Sequence, residues 1–175
     1  MLDSDEYLHL AMHAASTGNP HACLSYLKEV LAREPKQPMA LYLLGAQHAQ
    51  LGLRTRAIEG MRAAIAAEPR LDVARFQLAL LLMATDLLEA RQQFEAVVGS
   101  VDETLRAFAT AMVALTDNKV EIAREQLTLG LSHTVTHPGL CNMMRTLLEQ
   151  LSKPAAPSPA KAVDENAFLG AYRQK

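Results

Sequence analysis

The sequence has few of the residues that build sheets or disulfide frameworks. It contains no Trp, four Phe and four Tyr, and aromatic residues make up 5% of its 175 residues. Scarce aromatics together with abundant Ala, Leu and Met favour helix over sheet. The two cysteines, Cys23 and Cys141, are too few and too far apart to indicate a disulfide framework. The sequence therefore predicts a helical protein of a reducing compartment, and we expect a cytoplasmic location.

The chain also lacks the charge pattern and the apolar runs of several functional classes. A net charge of -2 and a pI near 6.3 are not those of a nucleic-acid binder, which should carry a basic stripe. No apolar run approaches the roughly 20 residues that span a bilayer. The N-terminal MLDSDEY is acidic where a secretory signal would be basic and then apolar. We expect neither nucleic-acid binding nor membrane insertion.

What the sequence does contain is an internal repeat. Residues 38–69 read PMALYLLGAQHAQLGLRTRAIEGMRAAIAAEP, which predicts two amphipathic helices joined by a tight turn. A small residue recurs every 33 or 34 positions, and a large apolar residue follows it by four; the two columns are Cys23, Ala57, Ala90 and Ala123, and Leu27, Met61, Phe94 and Leu127. One helix pair cannot bury its apolar stripe alone, so this pattern indicates pairs that stack on their neighbours.

The helix starts have recognisable capping signals. Asp3 and Glu6 have the spacing of a capping box, as do Ser100 and Glu103. Asn19 is the expected N-cap of the second helix, which Pro20 would open.

The turns within the pairs call for a left-handed backbone. Gly18 and Gly52 suit this conformation, and Asp86 and Asn118 stand at the corresponding places in the third and fourth pairs. Asp and Asn are the non-glycine residues that best tolerate it.

The repeat resembles that of the tetratricopeptide repeat (TPR) family, whose period is 34 residues. Residues that carry the resemblance are the Leu44–Gly45 pair, the turn glycine Gly52, Ala57 ahead of Met61, and the closing Glu68–Pro69. It covers residues 4–135, closely for the first two pairs and more loosely for the last two. The resemblance implies an all-α, right-handed TPR superhelix of four helix pairs and a non-catalytic protein-protein interaction module.

Three segments follow from this organisation. Residues 1–152 form the TPR solenoid, closed by a ninth helix from Pro138 to about Ser152 whose wet outer face caps the array. Residues 153–163 are a Pro/Ala-rich linker. Residues 164–175 are a short amphipathic tail, in which Phe168, Leu169 and Tyr172 lie on one side and are expected to dock on the array. Self-association through the tail or the ninth helix is left open.

In the TPR family, partners bind in a concave groove lined by the first helix of each pair. The matching residues here are mostly large and apolar: Leu8, Met12, Met39, Tyr42, Val73, Phe76, Leu80, Met83, Leu105, Phe108 and Met112. Methionine beside aromatics makes an adaptable surface. One large residue per repeat stands in the same column: Leu8, Tyr42, Phe76 and Phe108. Two interpretations follow: this column holds an apolar peptide, or it packs helix against helix as core.

The resemblance also argues against one family function. Chaperone-binding TPR proteins bind the C-terminal carboxylate of their partner through Lys, Asn and Arg side chains. The matching places here hold Leu8, Met12, Leu43, Val73 and Gln77. Only Gln77 can donate a hydrogen bond to a carboxylate.

The sequence thus predicts an adaptor in a multiprotein assembly, with a protein or peptide partner and no cofactor. A dedicated secretion chaperone is the alternative, because the chain is similar in size, acidity and groove character to bacterial type III translocator chaperones. Those usually carry a further helix before the repeats. An enzyme is disfavoured because no catalytic motif is present. His9 and His13 have a metal-compatible spacing but no third ligand, so solvated histidines are expected.

Overall fold

The computed structural model describes residues 2–133 and 137–153, and most of the predicted linker and the whole predicted tail lie outside them. Within these residues the regular elements are nine helices: α1 (Ser4–Ser16), α2 (Pro20–Arg33), α3 (Pro38–Gln50), α4 (Arg54–Ala67), α5 (Asp72–Leu82), α6 (Leu87–Val97), α7 (Glu103–Thr116), α8 (Val120–Ser132) and α9 (Pro138–Ser152). The predicted all-α fold of four helix pairs and a closing helix is confirmed.

The described residues divide into two compact units, one up to Ala74 and one from Arg75 onward. In the first unit α1 packs on α2, α2 on α3, and α3 on α4, while α1 also contacts α3. In the second unit α6 packs on α7, α7 on α8, and α8 on α9. Within each unit these helices therefore contact their neighbours in sequence, as expected of a repeat array.

The two columns identified in the sequence form the centre of these contacts. All eight residues are 0% exposed: Cys23, Ala57, Ala90 and Ala123, and Leu27, Met61, Phe94 and Leu127. The column of small residues lets helices approach closely, and α3 and α4 come closest where two glycines face each other. A Cβ atom on Gly60 would lie 2.9 Å from the Cα atom of Gly45.

The helix starts follow the predicted capping with one exception. The backbone N–H of Glu6 donates to Asp3 and that of Asp3 donates to Glu6, both at 2.8 Å, which confirms the capping box. Asn19 caps α2 and Pro20 opens it, as predicted. The predicted box at Ser100 is wrong, because α7 begins later and Asp102 is its N-cap.

The turns confirm three of the four left-handed residues. Gly18, Gly52 and Asn118 have φ angles of 69°, 74° and 57°. Asp86 does not, with φ at -144°. The third pair is shorter at this turn, so Asp86 serves as the N-cap of α6 and accepts a hydrogen bond from the backbone N–H of Glu89 at 2.9 Å.

The turn between α7 and α8 is also held by side chains. Arg91 of α6 donates to the Thr116 hydroxyl at 2.7 Å and to the Asp117 carboxylate. Lys119 lies 3.2 Å from the other oxygen of Asp117. The hydrogen bonds from Arg91 and Lys119 hold the pKa of Asp117 below its ordinary value. The ion pair between Arg91 and Asp117 therefore connects this turn to α6 as long as the Asp117 carboxylate is ionised.

Helix α9 has the two faces that were predicted for a closing helix. Leu140, Met143 and Met144 are buried, and the opposite side is exposed at Asn142, Arg145, Thr146, Glu149 and Gln150. Cys141 is buried as well, and Cys23 is buried in α2. Burial raises the pKa of both thiols, so they remain protonated and behave as small apolar side chains at neutral pH.

Two histidines, His133 and His137, contact the start of α7. The Nε2 atom of His137, just before α9, lies 3.1 Å from the carboxylate of Asp102. Because a carboxylate only accepts, this nitrogen carries the proton. His133, after α8, lies 3.4 Å from Glu103. Asp102 also accepts from the backbone N–H of Leu105 at 2.9 Å.

This arrangement predicts a pH dependence of stability. Burial alone would raise the pKa of Asp102, but the Leu105 N–H and His137 outweigh it and the pKa lies below its ordinary value. A carboxyl group with a lowered folded-state pKa stabilises the fold above its unfolded-state pKa, about 3.9. That contribution is lost as the pH falls through the folded-state pKa. Wild-type Tm should therefore drop below about pH 4, which thermal unfolding between pH 2 and 7 would measure.

The matched control is Asp102→Asn, which keeps an N-cap acceptor but cannot ionise. Its Tm should depend less on pH over the same range. Asp102→Ala removes the cap as well and should cost about 1 kcal/mol at neutral pH. If the Tm of wild type and the Tm of Asp102→Asn fall equally as the pH is lowered, then Asp102 does not contribute to the loss of stability in acid.

Candidate functional site

The first unit presents α1 in a fixed orientation. The ring of Tyr7 lies against that of Tyr26 in α2, with centroids 6.2 Å apart. The guanidinium of Arg33 stands 4.7 Å from the centre of the Tyr7 ring, a cation–π contact. Arg33 also donates to the backbone carbonyl of Leu2 at 2.6 Å. These contacts hold the start of α1 against the end of α2.

Helix α3 is positioned next to α1 by its own cap and by α4. Pro38 opens it, and the side chain of Gln37 accepts from the backbone N–H of Ala40 at 2.6 Å. The Gly45–Gly60 crossing fixes α3 on α4, and α3 also contacts α1. The first helices of the first two pairs are therefore neighbours within one compact unit.

On these two helices, several of the residues predicted to line a groove are at least partly exposed. Met12 is 44% exposed, and Leu8, Met39 and Tyr42 are half-buried. Leu8 packs against the buried cluster between α1 and α2, so this surface is continuous with the core. We call these four residues the α1–α3 face. Each of the four is an apolar or aromatic side chain that is not fully buried.

The predicted groove residues on α5 and α7 are placed differently. Phe76, Phe108 and Met112 are 0% exposed; Val73, Leu80 and Leu105 are also buried, and Met83 is half-buried. The expectation of one accessible bulky side chain in every repeat is wrong for Phe76 and Phe108, which are buried, and the equivalent Leu8 and Tyr42 are half-buried.

Aromatic packing in the second unit explains this difference. The ring of Phe76 meets Phe94 of α6 edge to face at 5.2 Å and lies 6.5 Å from the ring of Phe108 in α7. Phe108 occupies the space that a side chain at position 130 would fill, because a Cβ atom on Gly130 would clash with its ring. The alternative interpretation, helix-on-helix packing, therefore describes these side chains.

Helices α1 and α3 also carry polar side chains. On α1, Asp5, His9 and His13 are exposed, and on α3 the Nδ1 atom of His48 is buried without a hydrogen-bond partner. Among residues 2–133 and 137–153, no three His, Cys, Asp or Glu side chains converge as a metal site would require. None of the helices in these ranges has the length and apolarity needed to cross a membrane.

The sequence matches no protein-family model and no curated protein. The fold, however, is similar to solved structures. One is described as the crystal structure of MamA, with 17% identity and a TM-score of 0.58 over 74% of this chain and 77% of that one. Another, MamA 41-end from Desulfovibrio magneticus RS-1, has 20% identity and a TM-score of 0.56 over 86% and 89%.

A third similar structure is TTC0263, described as a thermophilic TPR protein in Thermus thermophilus. It is 16% identical, with a TM-score of 0.54 over 85% of this chain and 98% of that one. Sequence identities of 16–20% support a similarity of fold and nothing further. Together with the repeat columns and the nine helices of the described residues, they show that the chain has a TPR-like all-α helical repeat fold.

Proposed function

We propose that this chain is a non-catalytic protein-binding module that holds an apolar segment of a partner on the α1–α3 face and serves as an adaptor within a multiprotein assembly. The observation that carries this proposal is the contrast within one column. Phe76 on α5 and Phe108 on α7 are fully buried, whereas the equivalent Leu8 on α1 and Tyr42 on α3 are half-buried. The similarity to a TPR protein supports the same function class, and the two free thiols are compatible with the cytoplasm.

The size of the face sets the expected affinity. Burying three apolar side chains of a ligand, at about 2 kcal/mol each, contributes roughly 6 kcal/mol. Ordering the ligand and losing its free motion offset much of this. A free peptide should then bind more weakly than about 40 µM, the dissociation constant to which roughly 6 kcal/mol corresponds. Such affinity suits an adaptor whose partners are held together by several contacts at once.

The decisive experiment places charges on the accessible side chains. In the full chain, the double variant Met12→Glu, Tyr42→Glu should reduce the affinity for binding partners by about 1,000-fold, because two apolar contacts of about 2 kcal/mol each are replaced by charges. Capture is measured by affinity purification with quantitative mass spectrometry. Circular dichroism should show unchanged helix content, because neither side chain is fully buried.

The matched control is Leu88→Glu, on α6, where the side chain is 71% exposed and outside the face. It introduces the same charge and should leave capture intact. Equal capture by wild type and the Met12→Glu, Tyr42→Glu variant would place the binding surface elsewhere.

A further inference from the structure

We propose that residues 164–175 bind back onto their own chain, in a groove between α8 and α9, and so complete the C-terminal end of the second unit. This inference is separate from the α1–α3 face. It rests on the groove itself, on the point at which the chain leaves α9, and on the match in size and chemistry between the groove and this segment.

The groove is a trough of about 680 Å³ along the outer side of α8. Its apolar part is Leu129, 46% exposed, and Leu148 of α9, which is half-buried. The remaining lining is polar or charged: Glu121, Arg124, Glu125, Thr128, Ser132 and Ser152. The polar outer side of the last layer is therefore interrupted at Leu129 and Leu148, which a further segment could cover.

The position of Ser152 favours the chain's own continuation as the occupant. Ser152 is the last residue of α9 and also lines the groove. Residues 153–163 form a Pro/Ala-rich linker of 11 residues that reaches about 30 Å when extended. That length allows the following segment to turn back along α8.

The dimensions agree. Groove residues on α8 run from Glu121 to Ser132, a helical rise of about 17 Å. A helix over residues 164–175 would be about 18 Å long. One such segment would therefore cover the α8 part of the groove from end to end.

The chemistry agrees as well. In a helix over 164–175, Phe168, Leu169 and Tyr172 share one side and would cover Leu129 and Leu148. The segment ends in Arg173 and Lys175, while the groove carries Glu121 and Glu125. Glu121 already lies 3.3 Å from Arg124, and exposed ion pairs contribute little. The charges would therefore determine in which orientation the segment lies along α8, and the apolar contacts with Leu129 and Leu148 would provide most of the binding free energy.

Tethering makes weak contact sufficient. A helix of this length is unstable alone in water. A linker of 11 residues, however, holds the segment at about a millimolar effective concentration. A free-peptide dissociation constant of about 0.1 mM would then give roughly 90% occupancy within one chain.

The test is disulfide trapping in the full chain. The variant Thr128→Cys, Ala171→Cys puts one thiol in the groove and one in the segment. The control variant, Leu88→Cys, Ala171→Cys, puts the first thiol at a comparably exposed site outside the groove. The native Cys23 and Cys141 are buried and identical in both. Under mild oxidation, the groove pair should form an intramolecular disulfide about tenfold faster than the control, read on non-reducing gels and by mass spectrometry.

Adding Phe168→Glu and Tyr172→Glu should bring the groove pair to the control rate. Equal rates for the two cysteine pairs would overturn the proposal. Disulfide-linked dimers would also overturn it, because the groove would then hold the segment of a second copy. Met12→Glu, Tyr42→Glu should leave the trapping rate unchanged, so that failure here is distinguishable from failure at the α1–α3 face.

Discussion

Replacing Phe76 by alanine is expected to lower the free energy of unfolding by about 3–5 kcal/mol. The side chain is fully buried and contacts the rings of Phe94 and Phe108, so truncation removes contacts to α6 and α7 together. Typical domains are stable by only about 5–15 kcal/mol, so this loss would bring the chain close to unfolding at physiological temperature. Urea or guanidinium denaturation followed by circular dichroism measures it.

The matched control for this prediction is Tyr42→Ala, which truncates the equivalent residue of the second repeat. Because Tyr42 is half-buried, it should cost clearly less stability while weakening partner capture. A Phe76→Ala protein that stays as stable as wild type but no longer captures partners would restore the interpretation of Phe76 as a groove residue.

The helix pairs were predictable because their signals are local. Capping residues act within three positions, and a buried stripe follows from the 3.6-residue period. The two columns add the spacing between pairs, and the burial of Ala90 and Phe94 agrees with it. A single sequence therefore identifies which residues face a neighbouring helix.

Accessibility along one column was not predictable in the same way. Tyr42 and Phe76 occupy equivalent places, but a ring fills its surroundings only where partners such as Phe94 and Phe108 supply matching rings. That depends on three helices at once. The contact between Asp102 and His137 is of the same kind, since 35 positions separate them and neither residue lies in a recognisable motif.

Gly60→Leu is expected to be the second strongly destabilising substitution, costing roughly 3 kcal/mol, at the upper end of overpacking effects. Even a Cβ atom at this position would lie 2.9 Å from the Cα atom and 3.1 Å from the N atom of Gly45. Both are backbone atoms, so rotation of a side chain cannot relieve the clash. The helices α3 and α4 would have to separate, and the contacts between them would weaken.

The two alanine variants at glycine positions separate this effect from helix propensity. Alanine in place of glycine favours a helix by up to about 1 kcal/mol. Gly139→Ala in α9 should show that gain, because nothing lies within 4 Å of its Cβ position. Gly60→Ala should destabilise despite the same gain.

Since a Cβ atom at position 60 would also approach the carbonyl of Leu41 to 3.3 Å, the separation acts directly beside Tyr42. Partner capture should therefore fall with stability in the Gly60 series but not in Gly139→Ala. If Gly60→Leu folds with wild-type stability, then α3 and α4 do not cross at their glycines, and the support proposed for the α1–α3 face is absent.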